Sequence, residues 1–338
     1  MINSIKVKNF RTYNDYSLSF SDGLNIIVGN NGIGKTSLIE AIHIALNGKS
    51  WRSNFDSILK QDEKWWRIDL IDNEKNIIVK YDGKKSFEIN EKKYLTLPKK
   101  NYQPLVLFEP DDLNLIYGSP SRRRRWLDKL LKDINNEYKI TFNKFEKVLK
   151  QRNSALKNKI INDDFFVWDL QFADLSSQVI KSRKKIIDDI NQKISDEYKS
   201  IAGSDEIIKL EYSYDGLDSK QKIINQLQKN RQIETLTNTT SIGPQKHDIL
   251  FFFKNQLAAT SASRGENRSI ISSLKNIEYN IKKTDECKPL ILLDDIMSEL
   301  DENHQIGLLN NFKESQVIIT SVDVPKIKNN EVNIIKLS

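Results

Sequence analysis

Apolar and polar positions alternate with a period of two over Ser4–Val7 and Ser17–Phe20. Leu24–Val28 follows as a short, mostly aliphatic run, with Asp22-Gly23 as the turn before it. Both patterns predict strands. Ser37–Leu46 has apolar residues at helical spacing and stops near Asn47-Gly48, so it predicts a helix. Arg67–Ile71, Asn76–Tyr81, Lys85–Ile89 and Pro104–Phe108 return to the strand pattern, parted by Asp72-Asn73 and Asp82-Gly83. Turn residues at those spacings predict antiparallel hairpins.

The pattern changes at Gly118-Ser119-Pro120, where Ser119 suits an N-cap and Pro120 the first helical position. Leu127, Leu131, Ile134, Tyr138, Phe142, Phe145 and Leu149 predict one long amphipathic helix. After a break near Asn158–Asp164, Trp168, Phe172, Leu175, Val179, Ile186, Ile190, Ile194 and Tyr198 predict a second. The two are expected to form an antiparallel hairpin. Its aromatic stripes read as core packing rather than as a base-stacking platform. Ile207–Tyr214 predicts a strand and Lys220–Arg231 a helix.

At Gly243-Pro244 the chain is expected to return to the first domain. Ile249–Lys254 predicts a strand, Ser261–Gly265 a loop and Asn267–Asn280 a helix. Leu290-Ile291-Leu292-Leu293 runs into Asp294-Asp295, the pattern of a buried parallel strand that ends at a site. Gln316–Thr320 predicts another such strand. The expected architecture is an α/β domain with a mixed β-sheet, residues 1–115 and 241–338, interrupted by a helical domain, residues 116–240.

Composition narrows the setting. A chain of 338 residues, 29% charged and 38% hydrophobic, is long enough for two domains and a large core. Its first residues alternate like a strand and lack a signal peptide's apolar centre, and no apolar run reaches the roughly 18 residues of a membrane span. A cytoplasmic protein with no membrane partner is expected. One cysteine, Cys287, makes no disulfide framework and favours a reducing compartment. His43, His247 and His304 are scattered, so no histidine metal site is expected. The formal charge is +7, and residues 116–200 carry 19 Lys/Arg against 12 Asp/Glu. That balance suits a polyanion such as nucleic acid, an anionic membrane surface, or simply a solvated helical face.

The chemistry centres on Gly29-Asn30-Asn31-Gly32-Ile33-Gly34-Lys35-Thr36, followed by Ser37. The stretch fits G-x-x-x-x-G-K-[ST], and the flanking strand and helix are the context that a phosphate-binding P-loop requires. Glycines let backbone N–H groups approach a phosphate, and a helix N-terminus adds donors and positive potential. The ligand expected is ATP with Mg²⁺. Lys35 reaches the β- and γ-phosphates, and Thr36 holds the metal. Asp294 at the end of an aliphatic strand is the expected Walker-B acid and second metal ligand. Asp295 is expected to orient or deprotonate the attacking water. Lys35, Asp294 and Asp295 are thus the expected catalytic residues. The hairpins of the first domain are expected to cover one side of the nucleotide.

Ser263-Arg264-Gly265-Glu266 is similar to the signature loop of ABC-type ATPases, and Ser298-Glu299-Leu300-Asp301 to their D-loop. Phe10-Arg11 ahead of the P-loop, and the order P-loop, helical insertion, signature, Walker B, resemble the SMC-like DNA-maintenance branch. Nearly end to end, the chain resembles the RecF family of DNA replication and repair proteins. The resemblance rests on Asn9–Tyr13, Gly23–Asn25, Asn30–His43, Gly118-Ser119-Pro120 with Arg122–Arg125 and Leu127-Asp128, Gly243-Pro244, and Leu292–Asp295 through Asp301.

The resemblance implies an ABC-type ATPase head with a helical arm or lid. It implies an ATP-dependent homodimer in which Ser263 and Gly265 of one copy face the γ-phosphate held by Lys35 of the other. Arg11 joins the nucleotide-binding residues. DNA, double-stranded or at single-strand/double-strand junctions, is the implied partner, with the mediators RecR and RecO helping to load RecA and slow hydrolysis resetting the dimer.

Some positions depart from the family pattern. Glu266-Asn267 follow the signature glycine, and Gln245-Lys246-His247-Asp248 follow Gly-Pro. Phe108–Asp112 stands where a Q-loop glutamine is usual, and Thr320 where a switch histidine is usual. Arg122–Arg125 cannot all face one way, and four cations at a helix start oppose its dipole; DNA contact and structural ion pairing stay open for each. Other readings are an SMC-like ATPase subunit of a nuclease or anti-phage system, a nucleotide or metabolite kinase, and a transporter ATPase. A kinase has no use for a partner-facing signature loop, and the absent Q-loop glutamine and switch histidine argue against a transporter.

Overall fold

The computed structural model describes residues 1–73, 75–160, 165–297, 302–324 and 332–337. The chain divides into two compact units, Met1–Asp112 with Lys282–Ser338, and Leu113–Ile281.

In the first unit β1 (Ile2–Phe10) and β2 (Tyr13–Ser19) form a hairpin, and β3 (Leu24–Val28) leads into α1 (Lys35–Asn47). β4 (Trp66–Asp72), β5 (Asn76–Tyr81), β6 (Lys85–Ile89) and β7 (Lys92–Tyr94) extend the hairpin into an antiparallel sheet of order β2-β1-β4-β5-β6-β7. Trp66, Ile68 and Leu70 of β4 point to the core while Arg67 and Asp69 point outward, the alternation expected of a sheet with one wet face. β8 (Leu105–Phe108) closes this segment.

The second unit begins with α2 (Asn114–Tyr117), α3 (Pro120–Ile134), α4 (Asn136–Lys157), α5 (Phe165–Asn191) and α6 (Ile194–Ala202). It continues with β9 (Ile208–Ser213), α7 (Lys220–Lys229), α8 (Arg231–Thr237), β10 (Asp248–Phe253), β11 (Gln256–Leu257), α9 (Ala258–Ser261) and α10 (Arg264–Lys282). The single helix predicted from Leu127 through Leu149 is two. Asn135 sits in extended backbone and its Oδ1 accepts the Tyr138 N–H at 2.9 Å, capping a new helix. Phe142, Phe145, Phe172 and Tyr198 are buried in one core, so the aromatic stripes are packing.

This unit runs past residue 240. β10 pairs antiparallel with β9, Asp248 opposite Ser213 and Phe253 opposite Ile208. Ile270, Leu274 and Ile277 of α10 join the same core as α4 and α5. Residues 243–281 therefore belong with the helices, and the division falls at 281/282 rather than at the expected 240/241.

Beyond α10 the chain re-enters the first unit as β12 (Leu290–Asp294), α11 (Glu302–Asn310), β13 (Val317–Ser321) and β14 (Val332–Lys336). These join a wholly parallel sheet of order β14-β3-β13-β12-β8. Every residue of β8, β12 and β13 is buried, which is why β12 and β13 read as largely aliphatic runs; β8, expected among the antiparallel hairpins, pairs parallel with β12 instead. The first unit thus holds a parallel and an antiparallel sheet, with α1 packed against strands of both.

The arginine run and the Gly243–Asp248 stretch explain one another. Arg123 is buried, and its guanidinium donates two bonds of 2.7 Å to the Asp248 carboxylate and one of 2.6 Å to the Gly118 carbonyl. Arg124 donates to the His247 carbonyl at 2.7 Å. These two arginines lock α3 to β10; the ion-pair reading holds for Arg123. Deeper in, Arg183 forks onto Asp128 at 2.9 Å through both nitrogens and donates to the Pro244 carbonyl at 2.7 Å. Such a pair is costly to break, because removing one partner strands a buried charge.

His247 belongs to this network, with Tyr212 Oη 2.7 Å from Nδ1 and Asp215 3.5 Å from Nε2. Burial, opposed by Asp215 and reinforced by Arg183 and Arg124, pushes His247 down to about 4. The unfolded imidazole titrates near ~6.5. Its contribution to stability is therefore complete above about 6.5 and is lost as pH falls toward the folded value. The thermal midpoint should decline between pH 7 and 5, and His247→Gln should flatten that decline. Equal slopes for wild type and variant would place the titrating group elsewhere.

Candidate functional site

β3 is buried over Leu24–Ile27 and delivers the chain into the glycine loop at the carboxyl end of the parallel sheet. Gly32 (φ 84°) and Gly34 (φ 113°) take left-handed backbone that only glycine adopts without strain. Gly34 is the N-cap of α1 and offers no capping side chain, so the first N–H groups of the helix have no side-chain acceptor from the cap residue. Lys35 is 6% exposed and its Nζ donates to the Gly29 and Asn30 carbonyls at 2.6 and 3.1 Å. The lysine is thus folded back over its own loop.

Sheet register brings the acid to the loop. Asp294 lies opposite Thr320, and Ser321 opposite Val28, so β12, β13 and β3 end side by side. Asp294 Oδ1 accepts the Thr36 hydroxyl at 2.9 Å and the Thr320 hydroxyl at 2.8 Å. The Asp295 N–H donates to Thr320 Oγ1 at 3.0 Å, with Asp295 itself at φ 52°. Thr320, at the switch position, thereby ties both acids to β13. Asp294 is 5% exposed, and burial raises its pKa against the lowering effect of Thr320 and Thr36. A dry carboxylate beside two hydroxyls suits a hard cation, which favours oxygen ligands. Among the described residues no group of three His, Cys, Asp or Glu is poised as a metal cage.

A second cluster gathers around Glu40 of α1. Glu40 is fully buried and accepts from Arg11 Nε and Nη2 at 2.9 Å each, from Arg52 Nη2 at 2.8 Å and from Ser50 and Ser53 at 2.6 and 2.9 Å. Burial alone would raise Glu40; the two arginines and Ser50 overcome it and hold the carboxyl at about 2. Arg11 also donates to the Ser57 carbonyl at 2.8 Å, so most of its donors are committed to the fold. Arg52 is a third exposed and reaches Ser37 Oγ at 3.4 Å, leaving one net positive charge beside the start of α1. Arg52 and Glu40 escaped the sequence reading. A lone acid in the apolar run of α1 was the available signal for Glu40; nothing around Trp51-Arg52 pointed to the site.

The signature residues lie in the second unit. Ser263 caps α10 in a reciprocal capping box, the Glu266 N–H donating to Ser263 Oγ at 3.2 Å and the Ser263 N–H to Glu266 Oε2 at 2.7 Å. Among the described residues an added Cβ on Gly265 meets nothing within 4 Å, so their packing gives no reason for a glycine there. The D-loop residues Ser298–Asp301 lie outside the described residues.

Thr320→Val removes the hydroxyl that Asp294 and the Asp295 N–H share. Stranding a buried partner costs about 1–3 kcal/mol. The denaturant midpoint should fall accordingly and Thr320→Ser should restore it; an unchanged midpoint for Thr320→Val would show that the shared hydroxyl is dispensable.

The sequence matches the AAA ATPase domain family over residues 1–336. It is 33% identical over 337 residues to the DNA replication and repair protein RecF of Clostridium perfringens, covering 96% of this chain and 93% of that one. It is 36% identical over 348 residues to the RecF of Streptococcus uberis, covering 95% and 93%. Its fold superposes on the solved structure of the recombination mediator protein RecF with ATP in the RecFOR pathway with a TM-score of 0.86, at 27% identity over 98% of this chain and 94% of that one. An Smc head bound to the C-terminal winged-helix domain of ScpA shares the fold at a TM-score of 0.55 and 16% identity, over 95% and 89%. Among the described residues no helix is long and apolar enough to cross a membrane. With relatives this similar over almost its whole length, the chain belongs to the RecF family.

Proposed function

We propose that this chain is a cytoplasmic, ATP-dependent DNA-binding protein of recombinational repair, which dimerises around ATP on duplex or gapped DNA and reopens on slow hydrolysis. The observation that carries the reading is the preassembled set of Lys35, Thr36, Asp294 and Thr320 at one end of the parallel sheet. In this reading Gly29–Ser37 cradle the phosphates through backbone donors and the α1 N-terminus. Lys35 exchanges the Gly29 and Asn30 carbonyls for phosphate oxygens. Thr36 and Asp294 would hold Mg²⁺, which supplies charge neutralisation on the phosphates when bound. Asp295, fixed by Thr320, orients the attacking water.

The signature loop supports a shared site. Ser263 and the α10 N-terminus present a capped, dipole-bearing helix start, and Gly265 leaves room for another surface to come close. A partner copy's nucleotide is the surface proposed. DNA as the polyanion fits the formal charge of +7, and family membership supports RecR and RecO as partners in loading RecA. Weak, DNA-stimulated ATP hydrolysis is the activity proposed.

Two variants separate binding from assembly. Lys35→Ala should lower ATP affinity at least tenfold by calorimetry, since the charge at the phosphates is gone. Ser263→Arg should bind ATP as the wild type does but fail to dimerise with an ATP analogue in light scattering. Normal affinity for the first variant would remove the nucleotide from this loop; a normal dimer for the second would remove the signature from the interface.

A further inference from the structure

The turn between β1 and β2 folds over the glycine loop. Asn9 (φ 50°) and Arg11 (φ 55°) bend the chain through left-handed backbone, and the Arg11 N–H is pinned to the Ile58 carbonyl at 2.9 Å. This sets Thr12 and Tyr13 against the last glycine of the loop. A Cβ built on Gly34 would lie 2.7 Å from Tyr13 Oη, 2.8 Å from Tyr13 Cε2 and 2.9 Å from Thr12 Oγ1. The phenol therefore lies at the N-cap of α1, where phosphate-binding donors gather. Tyr16 backs the ring, stacked at 5.1 Å and 28°, so the side chain is held in place by packing.

Its hydroxyl is the anomaly. Lys35, Thr36 and Arg11 each have protein partners at this end of the sheet, at Gly29 and Asn30, at Asp294 and at Glu40. Tyr13 Oη is buried and has none among the described residues. A buried donor without an acceptor destabilises the fold it sits in, and such groups in native proteins call for an explanation. Burial, with Tyr16 a smaller influence, raises the Tyr13 pKa, so the oxygen keeps its proton and remains a donor.

We propose that Tyr13 is a nucleotide-positioning residue, whose hydroxyl donates to a phosphate oxygen of the nucleotide held by Gly29–Thr36. The assignment rests on the nucleotide reading of this loop and adds to it a ligand from outside the motif. A phosphate oxygen is the acceptor that the place supplies. It is anionic, it lies at the start of α1, and a charged acceptor makes the stronger hydrogen bond.

Tyr13→Phe keeps the ring and removes only the donor. By calorimetry with Mg²⁺ present it should weaken ATP about tenfold, the effect of one hydrogen bond to a charged group. The loss should be the same for ATP and for 2′,3′-dideoxy-ATP, because the sugar hydroxyls are not the acceptor. The thermal midpoint without nucleotide should be equal to or above that of the wild type, since no partner is stranded. ATP affinity equal to the wild type overturns the proposal. A loss seen with ATP but not with the dideoxy nucleotide also overturns it, assigning the hydroxyl to the sugar instead. Lys35→Ala run alongside tells the two readings apart. If that variant too binds normally, the nucleotide lies elsewhere and both fall; if it alone loses affinity, only the role of Tyr13 falls.

Discussion

Two hydrogen bonds to one buried oxygen hold the site together. Asp294 Oδ1 accepts from Thr36 on α1 and from Thr320 on β13, so helix, central strand and neighbouring strand converge on a single carboxylate. Burial drives up the cost of ionising Asp294, and the two hydroxyls offset it. In the proposed function, a carboxylate kept dry and already held by Thr36 would need little reorganisation to meet a cation and a triphosphate. The parallel register is the precondition. A slip of one residue between β12 and β13 would turn Asp294 to the other face of the sheet.

Around that point the fold spends charge carefully. Glu40 offsets one of the two positive charges of Arg11 and Arg52, while Lys35 is parked on backbone carbonyls. In the second unit the most buried arginines, Arg152 and Arg183, are matched by Asp169, Glu234 and Asp128. The positive excess of the sequence is consequently a surface property. Two of the most suggestive basic residues, Arg123 and Arg124, hold α3 to the start of β10.

The elements that could be read from the sequence are those whose pattern is local. Leu290–Asp294 is buried on both faces and reads as an aliphatic run; the P-loop is contiguous and lies between a strand and a helix. The break at Asn135 was hidden because the apolar period passes through it, and only the cap geometry divides α3 from α4. Pairing of β9 with β10 joins segments about 40 residues apart, so the true reach of the second unit left no local trace. β14, an edge strand of half-buried and exposed residues broken by Asn333, lacked the aliphatic signature of its neighbours. Within the site, Lys35, Thr36 and Asp294 were legible from motif and strand end. Glu40 and Arg52 were not, because they act through contacts made in space.

The central claim is that ATP turns this site into half of a shared one. Sedimentation velocity of the wild-type chain with Mg²⁺, with and without a non-hydrolysable ATP analogue and a gapped duplex, tests it most directly. The account predicts a monomer without nucleotide, and a dimer that sediments with the DNA when the analogue is present. A chain that stays monomeric and leaves the DNA behind, while still binding the analogue, would contradict it.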